Sequence, residues 1–140
     1  MAATDLNTVR STIEARLATE LASSPAIPVV FSNQPFDATS NESFVQCEVS
    51  FGSSEITSQG DQTDANTLIV GLLTLNVFTE QGIGSGGNLT ICKRLRDLYN
   101  RITVSDVIFD AVVGPEILSQ PPEGKFVTLL RITFETFEEL

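Results

Sequence analysis

The stretch Thr67-Leu68-Ile69-Val70-Gly71-Leu72-Leu73-Thr74-Leu75-Asn76-Val77-Phe78-Thr79 decides the fold. Its apolar residues fall on both parities, Leu68, Val70 and Leu72 against Ile69, Leu73, Leu75 and Val77. Apolar residues on both faces mark a strand covered on both sides, hence a central one. Upstream, residues 43–51 alternate, with Val45, Cys47, Val49 and Phe51 facing one way and Gln46, Glu48 and Ser50 the other. That is a strand with one solvated face. The two runs read as antiparallel neighbours, a long β-hairpin.

Between them, residues 52–66 are rich in Gly, Ser and Asp, and Ile56 is the only large apolar residue. Unstructured connections of about 15 residues are uncommon in compact domains and are usually functional or mobile. This segment is expected to be a mobile loop. A hairpin of this reach is expected to project beyond its own core and meet another subunit.

Working outward, Leu6, Val9, Ile13, Leu17 and Leu21 recur at steps of three and four, which predicts a helix over 4–22. Thr4 or Asp5 would cap it and Ser23-Ser24-Pro25 would end it. A short strand is expected over 28–32. After a glycine-rich turn at 82–87, a second helix is expected over 88–101, with Asn88 as cap and Leu89, Cys92, Leu95, Tyr99 and Ile102 as its buried stripe. Strands are expected over 107–113 and 125–137, separated by Gly114-Pro115 and Pro121-Pro122. The expected fold class is α+β: a mostly antiparallel sheet of four to five strands with two helices packed on one face. Residues 1–140 form one domain, a length that buries roughly 68–70% of the extended chain's surface without staples.

Composition narrows the function. The net charge is −10, with 8 basic against 18 acidic residues, so the chain has no broad cationic face for phosphate. DNA sliding past without adhering is compatible with that charge. There is no histidine, which removes the commonest general base and the commonest zinc ligand. Cys47 and Cys92 both fall at apolar positions and read as buried, reduced thiols, not as a metal or disulfide pair. No catalytic residue, metal site or cofactor is expected, and the chain is read as a non-enzyme. Residues 1–5 lack a basic leader region and no run approaches 18 apolar residues, so neither export nor membrane insertion is expected.

Gly82, Gly84 and Gly87 match G-x-G-x-x-G between a strand and a helix, with Asp106 downstream. That spacing is the dinucleotide fingerprint. It follows a hairpin here instead of opening a parallel βαβ unit, and too little chain remains to complete one. A flexible link is the simpler reading, with a nucleotide-binding enzyme fragment as the alternative.

The second helix holds half of all the basic residues: Lys93, Arg94, Arg96 and Arg101. No aromatic residues interleave them, so base stacking is unsupported. Pairing with acids of an adjacent subunit is the expected use. The acidic loop supplies counterparts, and Glu55, Ile56, Asp61 and Asp64 join the four cations as candidate subunit-interface residues. Asp61 and Asp64 alone carry no metal signature.

The helix Val9-Arg10-Ser11-Thr12-Ile13-Glu14-Ala15-Arg16-Leu17, the Pro28-Val29-Val30-Phe31 strand, Phe44-Val45-Gln46-Cys47-Glu48-Val49, and Gly71-Leu72-Leu73-Thr74-Leu75-Asn76-Val77-Phe78 leading to a Gly-x-Gly turn and helix resemble the tail terminator proteins of long-tailed bacteriophages. The resemblance covers nearly the whole chain and is one of layout and local wording. It implies a homohexameric ring that caps the tail tube, ends its polymerisation and joins the tail to the head–tail connector. Its implied partners are copies of itself, the tail tube protein and the head–tail connector protein, with genomic DNA passing through the lumen without specific binding. It implies a virion protein of the tail or neck, made in the host cytoplasm. Another neck component, a connector stopper or adaptor, is the neighbouring alternative.

Overall fold

The computed structural model describes residues 6–23, 26–31, 43–56, 66–80, 82, 86–104, 107–118 and 125–139. The elements run α1 (Leu6–Glu20), β1 (Val29–Phe31), β2 (Phe44–Ile56), β3 (Asn66–Glu80), α2 (Gly86–Tyr99), β4 (Thr103–Val104), β5 (Val107–Phe109), β6 (Val113–Ile117) and β7 (Lys125–Glu139). The seven strands form one curled sheet in the order β1-β2-β3-β7-β5-β4, with β6 also paired to β7.

β3 is central, as its two apolar faces require. It pairs antiparallel with β2 from Phe44↔Phe78 to Ile56↔Thr67 and with β7 over its full length, from Asn66↔Glu139 to Glu80↔Lys125. One face of these strands is buried: Val45 and Cys47 of β2, Leu73, Leu75 and Val77 of β3, and Leu130, Ile132 and Phe134 of β7. They join Val9, Ile13 and Leu17 of α1 and Ile91, Cys92, Leu95 and Tyr99 of α2 in one core. The other face carries Gln46, Ser50, Thr74, Asn76 and Thr133, and Gln46 and Asn76 bond across the strands at 3.1 Å. On that face Phe44 and Phe78 stack with centroids 4.3 Å apart.

Several expectations change. Among the described residues the sheet has seven strands, not four to five, and it is mixed, because β1 runs parallel to β2. A parallel step needs a connection of about a dozen residues, which residues 32–43 supply, and the sequence does not show which direction such a connection takes. The strand expected over 107–113 is divided into β5 and β6. Gly114-Pro115, read as loop, lies inside β6, where the register shifts between Val113 and Glu116. Proline is tolerated there because β6 is an outer strand. The segment read as a loop over 52–66 is shorter: β2 continues to Ile56 through a shift between Phe51 and Ser54, and β3 begins at Asn66. Residues 57–65, where the mobile-loop reading now rests, lie outside the described residues, as do the caps Thr4 and Asp5.

The helix stripes shift too. Leu6 is exposed at the start of α1. α2 begins at Gly86, and its inward set is Asn88, Ile91, Cys92, Leu95 and Tyr99, leaving Leu89 exposed. That set keeps the spacing of one helix face. A polar residue at its head hid it from a search for apolar periodicity.

Gly71 sits opposite Phe134 on one side and Phe51 on the other. A Cβ at Gly71 would overlap the Phe134 ring and stand 2.7 Å from the Ser50 carbonyl oxygen. The missing side chain lets the Phe134 ring lie across the strand and meet Phe51 edge-on at 5.9 Å. Gly71→Ala is expected to destabilise the fold by about 1–3 kcal/mol, the usual cost of overpacking, read from chemical denaturation; unchanged stability would show that the ring swings aside freely.

Burial pushes the Cys47 thiol from 9.0 up to about 12, and Glu14 and Glu48 add to the rise. The folded state therefore holds a proton that the unfolded chain gives up above pH 9. This contribution to stability is intact below pH 9 and is lost as pH rises toward 12, at ~1.4 kcal/mol per pH unit. Denaturation midpoints measured at pH 8 and pH 10.5 should drop, and Cys47→Ala should flatten the decline.

Candidate assembly surface

α2 is fixed to the sheet by a buried side chain. Asn88 donates from its amide to the Val77 carbonyl at 3.1 Å, to Thr79 Oγ1 at 3.3 Å and to the Phe126 carbonyl at 3.5 Å. Its Oδ1 accepts from the Thr128 hydroxyl and from Cys92 Sγ. The expected capping role is therefore wrong: Asn88 lies inside the first turn and joins α2 to β3 and β7. At the other end, Tyr99 donates its hydroxyl to the Ile13 carbonyl at 2.8 Å, which couples α2 to α1. Burial raises the Tyr99 hydroxyl well above the ordinary tyrosine range. Arg101 closes the helix with a positive φ of 53°, and its N–H donates to the Asp110 carbonyl.

Pinned at both ends, α2 presents its cations in fixed directions. Arg94 reaches α1: its guanidinium donates to the Glu20 carbonyl at 2.7 Å and the Ser23 carbonyl at 2.9 Å, and pairs with the Glu20 carboxylate at 2.9 Å. It thus satisfies carbonyls that a helix end leaves without partners. Lys93 pairs with Asp97 on its own helix at 2.6 Å, an exposed pair worth roughly 0.3–0.5 kcal/mol. Arg96 and Arg101 are exposed. Glu55 and Ile56 are the last two residues of β2, opposite Leu68 and Thr67 of β3. Asp61 and Asp64 lie outside the described residues. The structure thus gathers the four basic candidates on or just after α2, and puts Glu55 and Ile56 at the far end of the sheet.

Sequence reasoning missed the strand β6 beyond Val113 and the exposed apolar residues around it. Ile108, Val113, Ile117 and Leu118 are exposed along β5, β6 and the residue that follows. The signal was present as Val113 and Ile117-Leu118 around a Gly-Pro pair, and the proline masked it. A groove of about 480 Å³ between α1 and α2 is lined by Thr12, Ala15, Arg16, Glu20, Leu98 and Val104, and Arg16 Nε donates to the Leu98 carbonyl at 3.0 Å across it.

The glycine fingerprint finds no nucleotide fold around it. The strand before it, β3, is antiparallel to both neighbours, so the parallel βαβ unit that the fingerprint serves is not built there. Among the described residues no cluster of His, Cys, Asp and Glu is arranged to hold a metal, and no helix is long and apolar enough to cross a membrane.

Fold and surface together define a small α+β domain whose chemistry lies in a basic helix and an exposed apolar sheet edge. The family described as phage tail terminator protein matches residues 8–125, most of the 140-residue chain, and the chain belongs to that family. It is a structural family, and membership gives the chain a role in completing phage tails. A solved protein structure of no stated role is similar in fold, with a TM-score of 0.68 at 16% identity over 95% of this chain and 96% of that one. The comparison with curated proteins finds no match.

Asn88→Ala would remove the shared partner of Thr128, Thr79, Cys92 and the Val77 and Phe126 carbonyls, leaving Thr128 its contact with Cys92 and Thr79 its bond to the Phe126 carbonyl. It is expected to cost about 2–3 kcal/mol, because buried polar groups stripped of a partner each lose their compensation. Arg94→Ala should cost less, since its partners can be hydrated. Reversal of that order in urea denaturation would show that the Asn88 network is dispensable.

Proposed function

We propose that this protein forms a homohexameric ring on the end of the phage tail tube, stops the tube's growth and joins the tail to the head–tail connector. The observation that carries the reading is membership of the tail terminator family over residues 8–125. The surface supports it: a basic helix flank and an apolar edge stand exposed on a chain whose net charge is −10. Glu55, Ile56, Asp61 and Asp64 are proposed to meet Lys93, Arg96 and Arg101 between neighbouring copies. Arg94, which also holds α1, would contribute its remaining charge at the rim. A closed ring needs a different patch on each side of the subunit, and this chain carries an acidic segment and a basic helix for those two roles.

The lumen would admit the genome without binding it. Copies each bringing a charge of −10 repel phosphate, and an acidic wall lowers the local concentration of DNA. The protein would reside in the virion at the tail or neck after synthesis in the host cytoplasm.

Light scattering on size-separated protein, alone and mixed with tail tubes, tests this reading. A mass of six subunits, or a monomer that reaches it on tube ends, is expected, together with tubes that overgrow when the protein is withheld. Tubes of normal length without the protein would count decisively against it.

A further inference from the structure

The register of the sheet sets two exposed, opposite charges level with each other on its two margins. At one margin β1 pairs with β2 from Val45 to Cys47, and Glu48 is the next residue along β2. Glu48 is exposed on the face opposite the core, with Thr74 of β3 beside it. The next side chain in that row is Arg131 of β7, two strand spacings or roughly 10 Å away. Glu116 holds Arg131 at 3.1 Å. Among the described residues Glu48 pairs with no cation.

At the other margin Arg101 and Ile102 lead into β4 and continue its row. The Arg101 N–H donates to the Asp110 carbonyl at 3.1 Å, and the Ile102 carbonyl accepts from the Phe109 N–H at 2.8 Å. Asp110 donates its own N–H to the Thr133 carbonyl. Thr133 lies opposite Leu72, and Leu72 lies opposite Ser50. Arg101 is therefore level with Ser50. Glu48 is two residues further along β2, about 7 Å at ~3.3 Å per residue, an offset within the reach of an arginine side chain. Arg101 is exposed and forms no ion pair among the described residues.

The backbone sets Arg101 apart from the other cations. Its φ of 53° is left-handed, at the position past a helix end that glycine usually occupies because a side chain there crowds the backbone. The helix dipole favours a cation nearby, but Arg96 already supplies one in the last turn. What glycine could not supply is the guanidinium, whose fork of donors matches a carboxylate.

We infer that Arg101 of one copy pairs with Glu48 of the next, joining the β4 margin of one sheet to the β2 margin of its neighbour. The two charges are complementary, they stand level along the sheet, and each subunit holds them on opposite sides. A lateral step from copy to copy satisfies both. Two different patches meet, so the contact is head-to-tail, the kind that generates a ring when its rotation closes. The inference rests on the reading of the chain as a ring-forming subunit; it adds Glu48 to the acidic side and gives Arg101 its partner.

The test uses the full chain and compares self-association by light scattering across concentration, alone and on tail tubes. Arg101→Glu and Glu48→Arg should each weaken association about tenfold or more, because like charges then face each other. The double exchange should recover most of the loss, the signature of a direct contact. Arg101→Gly should also weaken association while holding or raising the melting temperature, since glycine takes that φ without strain. Single variants that assemble like the parent overturn the inference and leave the ring reading standing. A double exchange no better than the worse single change overturns it as well, because the two groups then do not meet. So does an Arg101→Gly variant that melts lower yet assembles normally, because the side chain then serves the subunit's own stability. A parent that stays monomeric at every concentration and on tubes removes the ring reading, and the inference with it.

Discussion

The structure depends on the two-sided pairing of β3. A strand flanked on both sides has its backbone donors and acceptors occupied in both directions, so it cannot slip against one neighbour without breaking the other. Its full-length match with β7 fixes which side chains meet which. Because side chains alternate, a slip of one residue would turn Leu73, Leu75 and Val77 out of the core and bring Thr74 and Asn76 in. The register that places Gly71 opposite Phe134 also places Thr128 under Asn88. In this way the sheet sets the position of α2 and, through Tyr99, that of α1.

Much of this was legible. Central placement of β3, its antiparallel pairing with β2, the inward stripe of α1 from Val9 to Leu17 and the burial of both cysteines follow from apolar spacing alone. What escaped were features whose signal is not apolar. Asn88 heads the buried face of α2, yet a polar residue before a helix reads most simply as a cap. Nothing in the strand's apolar spacing shows that a ring fills the space at Gly71. The direction of β1 depends on the path of a connection. The division of β5 from β6 depends on a proline that an outer strand can accept.

The candidate site was legible in a different way. Charge counting singled out the basic helix, and the structure sorts its cations by geometry. Arg94 is engaged with the end of α1, Lys93 with Asp97, and Arg96 and Arg101 stand exposed. No spacing rule separates these cases in advance, because positions 93, 94 and 96 differ only by the rotation of the helix about its axis. That rotation is set by Asn88 and Tyr99, whose bonds run to the sheet and to α1.

Three outer strands of this sheet are poor templates. β1 has three residues, β4 has two, and β6 is broken by Pro115. Along β1, β4 and β6 a neighbouring sheet finds little regular backbone to pair with. The apolar side chains of β6 can therefore remain outside without templating a strand. Stickiness is confined to side-chain shape and charge, which discriminate between partners and can come to an end.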